Sequence, residues 1–298
     1  MLKTIASLVL LLFVSSQKPN SPTPTQENIF IYYTSDQGTS GRDIYRMDAQ
    51  GGNRRKLTSK TGRGHYPHNN GPKLSPDRAR LVFHSDPDGH DRYTIWTMNI
   101  DGSGLKKITT AEGLYPAWSP DGKMIVFSGR RGGVWEILTV SADGSWPETN
   151  ISQNKKHGRK PGWGATAAYH PNGERIVYSY IREKMLYTME LKSGQVTQLG
   201  ENGSKYTHPI YSPDGERIAV NLDEGNGYHL AIWEHQGSKR IVAENSLSYS
   251  TPSWSHDGSE ILFSRKAGGS PEIFKITLET GKVTQLTDNP AFDAMSTW

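Results

Sequence analysis

The chain is 298 residues long, with a formal net charge of +4, 10% aromatic residues and no cysteine. The lack of cysteine excludes a lipid-modified N-terminal cysteine and any disulfide staple, and so small a net charge argues against the concentrated basic stripe that nucleic acid requires. Its 31 glycines, in a chain of this length, point to one large all-β domain or two small ones.

Met1-Leu2-Lys3 sets a positive charge ahead of an apolar run from Ile5 to Val14, and Ser15 and Ser16 supply small residues before Gln17. Residues 1–16 therefore read as a secretory signal peptide whose apolar run is too short to span a bilayer, so no stable membrane anchor is expected. Residues 17–28, where Pro19, Pro22 and Pro24 stand among Ser, Thr and Asn, read as an extended tether. The folded domain is expected over residues 29–298. It opens with a strand at Ile29–Tyr33, followed by strands at Asp43–Met47 and Lys56–Thr58.

One phrase then recurs about every forty to fifty residues. Its copies begin at Gly71, Tyr115, Ala168, His208 and Thr251; the fullest, Tyr115–Gly122, reads Tyr-Pro-Ala-Trp-Ser-Pro-Asp-Gly and runs on to Ile125–Phe127. Each copy is an apolar strand, a Pro-Asp-Gly or Pro-Asn-Gly turn and a second strand of β-branched and aromatic residues, which is a β-hairpin. A third strand such as Trp135–Val140 or Glu272–Ile276 follows, then a short fourth one ending near Thr109, Leu199 or Thr287. Such four-stranded units bury both faces only by stacking, and radial stacking makes a propeller. The chain starts on a second strand and ends on a first one, Ala294–Trp298, with Trp298 at the place of Trp118 and Trp254. The expected fold is thus an all-β, six-bladed β-propeller of four antiparallel strands per blade, its ring closed by the C-terminal strand joining the N-terminal blade.

The phrase at Pro116–Phe127, together with Asp43–Asp48 and Ile95–Ser103, resembles the WD-like repeat of the TolB-like β-propeller family, and the likeness runs from Ile29 to Trp298. The resemblance implies a periplasmic or secreted propeller that binds partners at its face, here expected without the family's N-terminal α/β domain. Related repeats accompany α/β-hydrolase domains in prolyl-oligopeptidase-type peptidases, but the chain holds no Gly-x-Ser-x-Gly elbow. Seven-bladed relatives that cleave oligogalacturonate carry a metal and histidines in the channel, which implies a polysaccharide-lyase-like alternative.

Loops entering the innermost strands of a propeller ring its channel, so the residues ahead of each phrase are the candidate site. They are Asp293; His65, His68 and Asn69; Glu112 and Tyr115; Trp163; Tyr206 and His208; and Tyr249, all expected at one mouth. Two long connections, 59–71 and 153–167, carry basic residues, among them Lys60, Arg63 and Arg159 near Trp163, a composition suited to clamping an anionic ligand. His65, His68, His208 and Asp293 offer a ligand set for a divalent metal, since imidazole and carboxylate suit zinc, manganese or iron. The other reading of these side chains is polar lining or a docking rim. Asp86, Asp88 and Asp91 around Gly89 read as a hairpin turn, because no downstream bidentate Glu completes a calcium loop. The expectation is an exported, non-enzymatic, monomeric propeller that needs no cofactor and docks a protein or an anionic envelope polymer.

Overall fold

The computed structural model describes residues 29–38, 41–58, 68–90, 92–152, 164–180, 183–234 and 237–298. The expected signal peptide and tether lie outside the described residues, as do His65, Arg159, Trp163 and most of both basic connections.

Six four-stranded antiparallel sheets form, one per repeat. Blade 1 runs β24 (Asp293–Thr297), β1 (Phe30–Ser35), β2 (Asp43–Asp48), β3 (Arg55–Lys56), so the last strand of the chain pairs with the first. Blade 2 holds β4 (His68–Leu74), β5 (Arg80–Asp86), β6 (Thr94–Asn99) and β7 (Lys106–Lys107). Blade 3 holds β8 (Gly113–Trp118), β9 (Met124–Arg131), β10 (Val134–Ser141) and β11 (Thr149–Asn150). Blades 4, 5 and 6 begin with β12 (Ala165–Tyr169), β16 (Lys205–Tyr211) and β20 (Ser253–Trp254), and each continues outward through its next three strands. The expected six-bladed ring and its two-ended closure are what forms.

The Ser-Pro-Asp-Gly phrase makes its turn by side-chain chemistry. Ser119 Oγ donates to Asp121 at 2.6 Å and accepts the Met124 amide at 2.9 Å, while Asp121 accepts the Lys123 amide at 3.1 Å. The set recurs at Ser75 with Asp77 and at Ser255 with Asp257, and His170 with Asn172 substitutes in blade 4. The hydroxyl of Ser119 therefore holds the carboxyl of Asp121 below the usual carboxylate range. At the other end of four blades a hydroxyl after the outer strand accepts an amide of the third strand. Thr58, Thr109 and Ser152 take those of Ile44, Ile95 and Ile137 at 3.0 Å, and Thr287 takes that of Ile273 at 2.8 Å.

The core lies between blades. Each apolar cluster joins neighbours, as where Val82 and Ile95 of blade 2 meet Trp118, Phe127 and Leu138 of blade 3. The repeat tryptophans also reach back one blade with the indole N–H: Trp118 donates to the Lys73 carbonyl at 2.9 Å and Trp298 to that of Ser253 at 3.2 Å. Sheets with two apolar faces cover both only in this arrangement.

Candidate functional site

The innermost strands carry two stacked rings of residues into the channel. Counting back three from each repeat tryptophan or its equivalent gives the upper ring: Gly71, Tyr115, Thr166, His208, Thr251 and Met295. One back from the tryptophan gives the lower ring: Lys73, Ala117, Ala168, Ile210, Ser253 and Thr297. Residues from all six innermost segments enclose a chamber of about 290 Å3, and a second space of about 250 Å3 opens beyond it at the Pro-Asp-Gly end.

Four inner strands are bulged at the upper ring, with register shifts flanking Gly71, Tyr115, His208 and Met295. All four take left-handed backbone, φ 62°, 53°, 54° and 57°. For Tyr115 and His208, each followed by proline, this conformation is sterically unfavourable, and it turns the side chains into the channel. Gly71 has a different effect. Without a Cβ it leaves room for the ring of His84, a residue of β5, to stand 5.3 Å from that of Tyr115. Tyr115 in turn meets His208 edge-on at 5.3 Å, so His84, Tyr115 and His208 form a continuous aromatic arc.

Burial, with Arg42 and His208 adding repulsion, pushes the His84 imidazole down to about 3. His208 is likewise pushed to about 3 by burial and by Lys73; the Ser248 carbonyl pulls weakly the other way. Both rings are therefore neutral near pH 7, each offering one N–H and one lone pair. His84 Nδ1 and Thr251 Oγ1 have no hydrogen-bond partner among the described residues, and the Ser248 carbonyl beside His208 is too poorly placed to make a well-formed bond to either of its ring nitrogens. Lys73 is the one charged residue among the described lining, and no Asp or Glu joins it. Burial alone pulls its ammonium down to about 8. The part of Lys73 left accessible faces the channel.

At the mouth where the inner strands begin, Phe292 stacks on Tyr249 with ring centres 5.8 Å apart, and the Arg42 guanidinium lies 4.1 Å from the Phe292 centroid. All three are half-buried.

The family described as the TolB beta propeller domain matches residues 13–167. The chain belongs to the TolB β-propeller family. Among relatives, the Tol-Pal system protein TolB of Francisella tularensis subsp. tularensis (strain WY96-3418) is 27% identical over 249 residues, covering 79% of this chain and 54% of the relative. The chain spans about half the length of the curated relatives it matches. Among solved structures, TolB from Acinetobacter baumannii superposes with a TM-score of 0.78 at 20% identity over 92% of this chain and 67% of that one. Oligogalacturonate lyase in complex with manganese gives 0.58 at 13% identity, over 88% and 74% of the two chains. At such identities the structural likenesses speak for the fold alone.

On this TolB-family propeller, the expected site residues separate. Tyr115 and His208 line the chamber, and Tyr249 stands at the mouth. Glu112 is half-buried and accepts from Arg130 at 3.2 Å. His68 opens β4, paired with Asp86. Tyr206 is not a mouth residue: it is fully buried in the cluster between blades 4 and 5, edge-on to Trp233, and its hydroxyl accepts the Glu201 amide at 3.1 Å. Its position one bulge before His208 turns it to the opposite face of β16. Asn69 is also structural, accepting from Ser85 Oγ at 2.7 Å and donating to Asp43 at 3.3 Å. Asp293 is fully buried, with Oδ2 accepting from Asn289 at 2.6 Å; burial raises its carboxyl above the usual range, against the pull of Ser35 and Asn289. The described members of the expected metal set, His68, His208 and Asp293, are not brought together, and no group of three or more His, Cys, Asp or Glu side chains is placed to hold a metal among the described residues.

Lys73, His84 and Arg42 were not among the expected site residues. A comparison of the repeats could have found His84. Register places Thr34, Ser128, Ser179, Asn221 and Ser264 at its position in the other blades, all small and polar. Four of them bond the next blade's inner segment: Thr34 and Ser128 accept the Gly71 and Ala165 amides, and Ser179 and Asn221 donate to the Tyr206 and Ser250 carbonyls. Only blade 2 puts an imidazole there. Lys73 is the corresponding exception in the lower ring.

Proposed function

We propose that the chain is an exported, non-enzymatic docking propeller of the Tol-Pal kind, acting in the periplasm or outside the cell and holding a protein or an anionic envelope polymer at the mouth where the inner strands begin. The observation that carries this reading is the half-buried Arg42–Phe292–Tyr249 stack. Arginine and tyrosine beside a concave rim are what binding hot spots are made of, because they add large contact area at small entropic cost. The family membership, the relatives that belong to a Tol-Pal system and the signal-peptide pattern of residues 1–16 support it. The basic residues expected around the same mouth favour an acidic partner.

A photo-crosslinking amino acid placed at Tyr249, with a second variant carrying it at Asp121 in a turn at the opposite end of the channel, tests the docking face. Adducts from position 249 in envelope fractions, sharply reduced by Arg42→Ala, are expected. Adducts from position 121 alone would place docking on the wrong mouth and overturn the reading.

A further inference from the structure

The chamber below the mouth is built differently from a docking rim. Its walls are mostly apolar, yet polar atoms with no well-placed partner among the described residues face it: the ring nitrogens of His208, which have only the Ser248 carbonyl nearby, and the Thr251 hydroxyl, each on a side chain at most 9% exposed. Leaving such groups unsatisfied inside a protein is costly, and the usual remedy is a bound water or ligand. Lys73 adds a cation with no carboxylate among the described residues of the chamber to balance it. A half-buried ammonium without a counter-ion is partly stripped of water, and a ligand of opposite charge would compensate it.

We propose that this chamber is a binding site for a carboxylate group carried on a small apolar body, with Lys73 as counter-ion and Tyr115, Thr251 and His208 as hydrogen-bond donors. One ammonium matches a monoanion, whereas a phosphate dianion calls for the several cations or the arginine fork that the chamber lacks. The neutral His208 donates without adding charge, so the site remains singly positive. The space of about 290 Å3 is at the lower end for ligand pockets, about twice the size of a cavity that holds benzene, which limits the occupant to a small acid or one acidic side chain or chain end. An exception to the repeat built the site, Lys73 among small or apolar residues of the lower ring, and a second, His84, stands beside it against the ring of Tyr115. The inference does not depend on docking, since the mouth can hold a partner whether or not the chamber takes an acid.

Isothermal titration of the full chain with phenylacetate and with uncharged phenylacetamide reads the charge requirement. A tetrapeptide with a free or an amidated C-terminus shows whether a chain end enters, and inorganic phosphate whether any anion serves. The acids are expected to bind, with the amides and phosphate about tenfold weaker or worse, and Lys73→Met to lose about tenfold or more of the acid affinity. Binding of phenylacetate alone makes the occupant a free organic acid, and binding of the peptide acid alone makes it a partner's carboxylate. Thr251→Val keeps the charge and the volume and is expected to weaken the acids several-fold, so it decides the matter if Lys73→Met does not fold. Failure of both acids, equal binding of acid and amide, or phosphate binding as tightly as the acids overturns the proposal.

Discussion

At Gly71 the backbone takes φ 62°, and an added Cβ would stand 3.3 Å from Cε1 of His84. Gly71→Ala is therefore expected to lower stability by about 1–3 kcal/mol through left-handed strain and displacement of the imidazole. The check is the urea midpoint of the variant against that of Gly71→Ala/His84→Ser, where the second change restores the small polar residue of the other blades. The double variant should recover the packing part of the loss and leave the backbone part, a coupling that unrelated sites would not show. Tyr115 and His208 were legible as channel residues because each stands just ahead of a proline in a recurring phrase. His84 was not, since it lies in the interior of a strand that reads as ordinary buried β, and only the glycine opposite leaves room for its ring to meet Tyr115.

Strand and turn carry the next level of order. Trp118 is 8% exposed, donates its indole N–H to the Lys73 carbonyl at 2.9 Å, and has the Arg80 guanidinium 4.8 Å from its ring centroid. It ties β8 to β4 and supports the backbone from which Lys73 projects. Trp118→Ala is expected to cost about 3–5 kcal/mol in chemical unfolding, through lost packing across the blade interface. The hairpin phrases were readable because serine, aspartate and glycine act locally in a turn, and the structure makes the turns from them, with His170 and Asn172 substituting in blade 4. Side-chain direction along the inner strands was not readable. Tyr206 and His208 are two residues apart, a spacing that shares one face in a regular strand, but the bulge between Thr207 and Ile210 breaks that alternation and sends one into the core and the other into the channel.

The ring as a whole depends on one strand. β24 pairs with β1 through Tyr32, Thr34 and Ser35, and Trp298 seats among Leu262 and Ile273 of blade 6 and Ile31 and Tyr33 of blade 1. Ending the chain at Phe292 would remove that strand, expose the edge of β1 and separate the first and last blades. Such a truncation is expected to lose its single cooperative unfolding transition and to associate through the open edge, read by calorimetry and size-exclusion chromatography. A truncated chain that stayed monomeric with one sharp transition would show that the ring closes without β24.

The sequence by itself determined the number of blades, their strand order and the closure, because repeats, turn residues and alternating apolar strands are local signals whose meaning survives without a structure. Tertiary structure alone decided which polar residues face the channel. Residues as far apart as Lys73, Tyr115, His208 and Thr251 share a chamber only because radial stacking brings six inner strands around one axis, and because the bulges set which side chain each strand presents there.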